Sequence, residues 1–202
     1  MAARPYTASR RRGNPQSVDR VLEAAERLIR DDAFHSATME EVAAAAGVSR
    51  ATVFNRFGSK LGMLQALFTR ASESPEAGAI PVALAIEDPV ASLEEVIAAA
   101  SAVWEAHGFI YEQLEAIVVL EPDASAPVER HHEEQRRDLQ GLARRLRRAE
   151  RLRPGWSEAR ATATLQMLTS LESFLWLRRE HSLSLRQTRE TIVELARMIL
   201  RD

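Results

Sequence analysis

The chain has 202 residues, of which 46% are hydrophobic and 28% are charged. This composition is that of an ordinary globular protein with enough chain to bury a core, and it excludes a disordered or fibrous protein. Cysteine is absent, which excludes disulfides and thiolate metal sites and fits a reducing compartment. No apolar run approaches the roughly 20 residues that span a bilayer, so we expect a cytoplasmic protein without membrane contact.

The net charge of −2 is unevenly distributed along the chain. Residues 1–70 carry a surplus of basic side chains, so the rest of the chain is net acidic. Residues 1–16 contain no acidic side chain, and we expect them to form a flexible basic arm. A basic front on an acidic body favours contact with a polyanion at one end of the molecule. The consecutive arginines of the arm are Arg10, Arg11 and Arg12.

Helical periodicity runs through most of the chain, and no alternating segment of strand length stands out. The first helix is expected to begin at Ser17, because serine is a common N-cap and an apolar stripe at helical spacing follows it. That stripe consists of Val21, Leu22, Ala25, Leu28 and Ile29.

Two short helices joined by a sharp turn are predicted next. Thr38 and Glu41 have the spacing of a capping box, which predicts a helix over residues 39–46. Gly47 can adopt the positive φ that ends this helix, and Ser49 can cap a second helix immediately afterwards. In such a pair the second helix stands out from the surface, where it fits the major groove, about 12 Å wide.

The remainder of the chain is predicted to be helical as well. Ser59 is expected to cap a fourth helix, and the Pro-, Gly- and Ser-rich residues 72–89 to form a connector with some short helix. The prediction is an all-α protein of about nine helices, with an N-terminal three-helix helix-turn-helix domain and a C-terminal helical bundle. The later helices cover residues 91–106, 109–120, 127–151, 157–180 and 184–200, with breaks at Gly108, 121–123, 153–155 and 181–182.

Residues 17–70 resemble the DNA-binding domain of the TetR family of bacterial transcriptional regulators. The matching segments are TMEEVA from Thr38, AGVSRATVF from Ala46 and FGSK from Phe57. The resemblance implies a DNA-binding domain over residues 17–60 and a ligand-binding and dimerisation domain over residues 61–202. It also implies a transcriptional regulator, most often a repressor that binds a palindromic double-stranded operator as a homodimer and is released by a small molecule.

The resemblance also implies which residues contact DNA. Phosphate contacts are expected from Thr38, Thr52 and Lys60, and base contacts from the outward side of the second short helix. Phe54 departs from the family, because it stands where a tyrosine hydroxyl usually touches a phosphate; its ring is expected to keep the packing and lose the hydrogen bond. The arm is a candidate for the adjacent minor groove. The full set is Thr38, Ser49, Arg50, Ala51, Thr52, Phe54, Asn55, Arg56 and Lys60, with Arg10, Arg11 and Arg12.

Apolar stripes on the last two predicted helices indicate an interface with a second copy of the chain. The apolar run continues around the helix at Trp176, beyond what one internal face needs. The alternative is that both stripes serve only the core of the monomer. The candidate interface residues are Leu165, Leu168, Leu175, Trp176, Ile192, Leu195 and Ile199.

A regulatory ligand is expected in a cavity between the helices of the bundle. The aromatic and methionine content of that region favours an apolar or aromatic small molecule. The candidate wall residues are Trp104, His107, Phe109, Tyr111, Leu114, Met167, Leu171 and Phe174.

Neither a metal nor a cofactor is expected. The adjacent His131 and His132 point about 100° apart on a helix, which is unsuited to chelation. The arginine-rich residues 144–148 are expected to form a solvated face with ion pairs. No catalytic motif is present, so we expect no enzyme.

Three alternatives to a repressor stay open. The chain could be an activator or architectural DNA binder of the same fold. It could be a helical ligand-binding protein whose DNA-binding motif is vestigial. It could also be a recombinase-like enzyme that uses the motif for targeting, although it lacks an evident acidic catalytic cluster.

Overall fold

The computed structural model describes residues 15–120 and 125–201, except for the side chains of residues 118–120. Within these residues the chain forms ten α-helices and a short π-helical segment, against the nine or so helices predicted. Extended pairing in the described part is limited to an antiparallel bridge between Leu152 and Leu200. The all-α prediction is therefore confirmed. Arg10, Arg11, Arg12 and the break predicted at residues 121–123 lie outside the described residues.

Two compact units divide the chain, residues 1–66 and residues 67–202. The first helix begins at Pro15, so the prediction of a start at Ser17 was wrong. Proline suits the first turn of a helix, where backbone N–H groups have no partner within the helix in any case. The helices of this unit are α1 (Pro15–Arg30), α2 (Met39–Ala46), α3 (Arg50–Phe57) and the first part of α4 (Lys60–Ser72). Its buried core includes Val21, Leu22, Ala25, Ile29, Phe34, Val42, Ala46, Val53, Met63 and Leu64.

The second unit is a helical bundle. Four of its helices, α6, α7, α8 and α10, supply most of one apolar cluster. None of the described helices has both the length and the apolar content needed to cross a bilayer. The elements of this unit are α5 (Pro75–Leu84), α6 (Pro89–Leu120), α7 (Ala126–Arg148), α8 (Glu158–Leu168), α9 (Leu171–Leu175), a π-helical segment (Trp176–Glu180) and α10 (Leu185–Arg197).

The break predicted at Gly108 does not occur, because α6 continues through it. Gly108 is buried, and a Cβ at this position would lie 2.9 Å from the Leu171 Cδ1 atom. The glycine therefore makes room for a neighbouring side chain and does not end the helix. Tertiary packing outweighs the helix penalty of glycine, which is about 1 kcal/mol relative to alanine.

The single helix predicted over residues 157–180 is interrupted. Helix α8 ends at Leu168, and Ser170 caps α9 by accepting a hydrogen bond from the Ser173 N–H at 3.2 Å. The hydroxyl of Thr169 donates to the Leu165 carbonyl, so side-chain oxygens take over backbone groups at this junction. Short polar side chains offer the backbone an alternative to a continuous helix here.

Four of the predicted interface residues belong to the core of the monomer. Leu165, Leu168, Ile192 and Ile199 are buried in the second unit, so their assignment to a dimer interface was wrong. The cause is that α8 and α10 pack against α6 and α7 within the same unit, where their apolar stripes are buried. By contrast, Trp176 and Leu195 are exposed.

The arginine-rich stretch of α7 is only partly a solvated face. Arg144 and Arg147 do lie near the carboxylate of Glu158, at 3.9 and 3.8 Å. Arg145 differs, because its half-buried guanidinium donates hydrogen bonds to three backbone carbonyls at and just after the end of α5 and to a hydroxyl on α6. Those acceptors are the carbonyls of Leu84, Ile86 and Glu87 and the hydroxyl of Ser92.

Candidate nucleic-acid interface and effector region

The beginning of α2 is held by a capping box. The Glu41 N–H donates to Thr38 Oγ1 at 3.2 Å, and the Thr38 N–H donates to Glu41 Oε2 at 2.7 Å. The hydrogen bond from the Thr38 N–H, and to a smaller extent one from the Thr38 hydroxyl, holds the pKa of the Glu41 carboxyl below its ordinary value. The Thr38 hydroxyl also donates to Glu41 Oε2 at 3.0 Å, so both its oxygen and its proton are engaged in the cap.

The turn between α2 and α3 depends on a left-handed residue. Gly47 has φ +63° and ψ +39°, a conformation that glycine adopts without steric cost. Its N–H donates to the Ala44 carbonyl, and the Val48 N–H donates to the Ala43 carbonyl, which closes the end of α2. Helix α3 starts three residues after Gly47, so the two short helices lie on either side of a compact turn.

Helix α3 begins at a serine cap and buries only a narrow side. Ser49 Oγ accepts from the Thr52 N–H at 3.1 Å and lies 2.8 Å from Thr52 Oγ1. Val53 is completely buried, and Thr52 is half-buried. The exposed side consists of Ser49, Arg50, Ala51, Phe54, Asn55 and Arg56. Apart from the half-buried Thr52 and the aromatic Phe54, this face has the polar or small character predicted.

Phe54 does not keep the packing that the sequence led us to expect. Its side chain is 58% exposed, and it lies on the same face of α3 as Arg50 and Ala51. The expectation failed because Val53 alone supplies the fully buried contact of this short helix.

Arg50 is joined to α2 by an ion pair. Its Nε lies 2.8 Å from Glu40 Oε1, and both side chains are largely exposed. Exposed pairs of this kind contribute little to stability, about 0–1 kcal/mol. The pair instead restricts the position of the guanidinium at the start of α3.

Lys60 ties the start of α4 to the loop before α2. Its Nζ donates to the His35 carbonyl at 2.6 Å and lies 5.0 Å from the centroid of the Phe34 ring. Partial burial lowers the pKa of Lys60 below its ordinary value. An ammonium group has three N–H donors, and the His35 carbonyl takes one of them.

The residues predicted to surround an effector are distributed unevenly in the second unit. His107 is half-buried, and its Nε2 lies 3.3 Å from the Glu76 carboxylate on α5. Met167 is 60% exposed, because α8 turns Ala161, Leu165 and Leu168 inward instead; its assignment to a cavity wall was therefore wrong. Phe109 is half-buried, while the other five are buried: Trp104, Tyr111, Leu114, Leu171 and Phe174.

Two of these residues belong to an aromatic cluster, which we define as Phe68, Trp104, Tyr111 and His131. The Tyr111 centroid lies 4.9 Å from that of Phe68, 5.0 Å from that of Trp104 and 5.2 Å from that of His131. Burial, followed by the charge of the adjacent His132, lowers the pKa of His131 to about 4. The imidazole is therefore neutral at neutral pH. The Trp104 indole N–H donates to the Thr169 carbonyl at 2.9 Å.

The sequence did not indicate Phe68 or His131 as neighbours of the predicted wall residues. In the sequence, the adjacency of His131 and His132 argues against chelation and gives no indication of aromatic neighbours. Among the described residues, no group of three or more histidine, aspartate or glutamate side chains is placed to hold a metal ion. The helical spacing along α7 is the signal that could have predicted this position. His131 follows the buried Val128 by three residues and so shares its face, whereas Arg130 is exposed.

The geometry of α2, Gly47 and α3 is that of a helix-turn-helix with an exposed second helix, the arrangement of a DNA-binding domain. A family model described as bacterial regulatory proteins of the tetR family matches residues 21–67. The matched segment spans α2, α3 and parts of α1 and α4, so the helix-turn-helix of this chain is of the type found in the tetR family of bacterial regulatory proteins. No curated protein matches the chain significantly in sequence.

Solved structures of the same fold cover almost the whole chain. The TetR family regulator PfmR from Thermus thermophilus is 22% identical, with a TM-score of 0.72 over 91% of this chain and 100% of its own. NalD, the secondary repressor of the MexAB-OprM multidrug efflux pump in Pseudomonas aeruginosa, is 22% identical, with a TM-score of 0.71 over 93% and 97%. AibR, solved with isovaleryl coenzyme A and operator DNA, is 18% identical, with a TM-score of 0.67 over 89% and 97%. At these identities the likeness establishes the fold.

Proposed function

We propose that this chain is a transcriptional repressor that binds a palindromic operator as a homodimer and is released by an apolar or aromatic small molecule. The observation that carries the proposal is the exposed face of α3, presented directly after the left-handed turn at Gly47. A helix of this kind, exposed along one side and anchored on the other, fits the major groove.

The side chains of α3 supply the chemistry for base and phosphate contacts. Arg50 and Arg56 can donate two hydrogen bonds to guanine, and Asn55 can pair with adenine. Thr52 and Lys60 are suited to phosphate oxygens, since each carries a hydrogen-bond donor. The Thr38 hydroxyl donates a hydrogen bond to the Glu41 carboxylate, so it must break that bond before it can donate to a phosphate.

Dimerisation follows from the small number of base pairs that one helix-turn-helix can contact. Two copies would place two α3 helices on half-sites about 34 Å apart. Exposed apolar side chains near the C-terminal end of the second unit, Trp176, Leu195 and Met198, support an interface there. The Trp176 ring packs edge-on against His181 at 4.3 Å, which restricts its orientation.

The effector is proposed to bind beside the aromatic cluster. Aromatic rings and a neutral imidazole favour an apolar or aromatic molecule over a strongly charged one. Phe68 belongs to α4, the helix that begins at Lys60, so displacement of its ring would move the helix that carries a proposed phosphate contact. Coupling of this kind is reciprocal: if the effector weakens DNA binding by a given factor, DNA weakens effector binding by the same factor.

Selection of DNA by the full-length protein tests the proposed function. We expect the protein to enrich a palindrome from a random-sequence duplex pool and to protect both half-sites from cleavage. The double variant Arg50→Ala, Asn55→Ala should lose this binding by more than tenfold. Arg148→Ala, which removes an exposed charge on α7, should retain it. A double variant that still binds the palindrome normally would contradict the proposal.

Two further measurements address repression and the effector. A promoter overlapping the selected palindrome should lose reporter expression when the protein is present; increased expression would indicate an activator. Binding of the apolar probe 1-anilinonaphthalene-8-sulfonate should weaken in Tyr111→Leu and remain unchanged in Met167→Ala, whose side chain points outward. Equal binding by both variants would contradict the proposed effector position.

A further inference from the structure

Phe54 is an exposed apolar side chain in a unit whose other large apolar side chains are buried or half-buried. It is 58% exposed, whereas Val53 beside it and Phe34 in the same unit are buried. Among the large apolar side chains described between residues 15 and 66, Phe54 is the exposed one. Because its ring contributes little to the core, its apolar surface is available for a contact outside the monomer.

The neighbours of Phe54 restrict the kind of contact that fits. Arg50 and Ala51 precede it by four and three residues, so all three side chains share one face of α3. Arg50 offers a guanidinium that Glu40 holds at 2.8 Å, while Ala51 and Phe54 offer only methyl and ring carbons. This face therefore combines one side chain that donates hydrogen bonds, Arg50, with an apolar strip formed by Ala51 and Phe54.

The base edges in the major groove carry one apolar group, the C5-methyl of thymine. Phosphates offer no complementary group to a phenyl ring, which can neither donate nor accept a conventional hydrogen bond. We propose that Phe54 is a specificity-determining residue that packs against a thymine methyl group, next to the base pair contacted by Arg50. The inference rests on the proposed DNA-binding function and adds that each half-site contains a required thymine.

Removal of single methyl groups from the DNA tests this contact. The full-length protein is first used to select its palindrome from a random duplex pool, and each thymine of that duplex is then replaced by deoxyuridine. Wild-type protein should lose about fourfold in affinity at one symmetry-related thymine pair, the value for one buried methyl-sized group. The Phe54→Ala variant should bind the unmodified duplex more weakly and show no further loss at that position. Fluorescence anisotropy of labelled duplexes gives both dissociation constants.

Two controls separate this contact from other effects. Phe54→Leu keeps an apolar side chain and should retain the loss at the same thymine, and Ala51→Gly reports on methyl contacts made by Ala51. Circular dichroism should show unchanged unfolding of Phe54→Ala, since the ring is exposed. Wild-type affinity that is insensitive to deoxyuridine everywhere, or a Phe54→Ala variant that keeps the full loss, overturns this proposal alone. A pool from which no sequence is enriched overturns it together with the proposed function.

Discussion

The backbone carbonyl oxygen of Phe57 occupies the space that a side chain at Gly62 would need, because a Cβ built on Gly62 would lie 1.9 Å from it. Gly62 lies in the first turn of α4, where its N–H donates to the capping Ser59 hydroxyl at 3.1 Å. The end of α3 is thereby pressed directly against the start of α4. The close approach of two backbones keeps α3 in a defined position within the first unit.

Gly62→Ala is expected to destabilise the first unit by about 3 kcal/mol, the upper part of the usual range for overpacking. The obstacle is a backbone atom, which cannot move aside as the end of a flexible side chain can. Urea unfolding followed by circular dichroism measures the change. Gly141→Ala is the matched control, because Gly141 lies inside α7 with no atom within 4 Å of its added Cβ. That control should be stabilised by about 1 kcal/mol through helix propensity. Equal effects at the two glycines would contradict the prediction.

Arg145→Ala should cost about 1.5–3 kcal/mol of stability, the range for hydrogen bonds to a charged group. The loss arises because three carbonyls at and just after the end of α5 would be left without their guanidinium donor. Arg145→Lys should recover only part of it, since a lysine ammonium lacks the planar fork of donors. The neighbouring Arg144→Ala, which removes only an exposed side chain with a 3.9 Å ion pair, should change stability by less than about 0.5 kcal/mol. Similar losses at both positions would show that Arg145 has no special structural role.

The stability of the second unit should fall as the pH decreases from 6.5 towards 4, in part because of His131. Its folded-state pKa of about 4 is below the ordinary value of 6.5, so in this window the unfolded chain binds the proton and the folded chain does not. Stability therefore rises with pH across the window, with a total contribution of about 3 kcal/mol. His131→Phe should flatten this dependence and keep an aromatic ring beside Phe68, Trp104 and Tyr111. Unfolding free energies measured at several pH values test this; an unchanged slope in His131→Phe would contradict a neutral imidazole at this half-buried position.

The double variant Trp176→Ser, Leu195→Ser should shift the protein from dimer to monomer. Both side chains are exposed apolar surface in the isolated chain, so their contact with a second copy would bury area worth several kcal/mol, at about 25 cal/mol per Å². Light scattering coupled to gel filtration measures the molecular mass. Val82→Ser, at a 69% exposed apolar residue on α5, should remain dimeric. A monomeric wild-type protein would contradict dimerisation itself. A double variant that stays dimeric would show that the interface lies elsewhere.

Local signals in the sequence were enough to predict the helix-turn-helix. The Thr38 and Glu41 capping box, the left-handed Gly47 and the Ser49 cap each involve residues within a few positions of one another. Their hydrogen bonds and backbone preferences act within one turn of chain. For that reason the positions of α2 and α3, and the polar character of the exposed side of α3, could be predicted before any tertiary contact was known.

Packing between distant segments decided the remaining features. Glycine favours the end of a helix, but Gly108 lies inside one because Leu171, sixty-three positions later, fills the space beside it. The apolar periodicity of Ile192 and Ile199 predicted a buried face without stating whether the partner is the same chain or another copy. His131 likewise gains its aromatic neighbours from α4 and α6. The sequence by itself determined where helices cap and which sides are apolar, because those properties are local; only the tertiary structure decided what each apolar side meets, because that depends on the fit between side chains brought together by the whole fold.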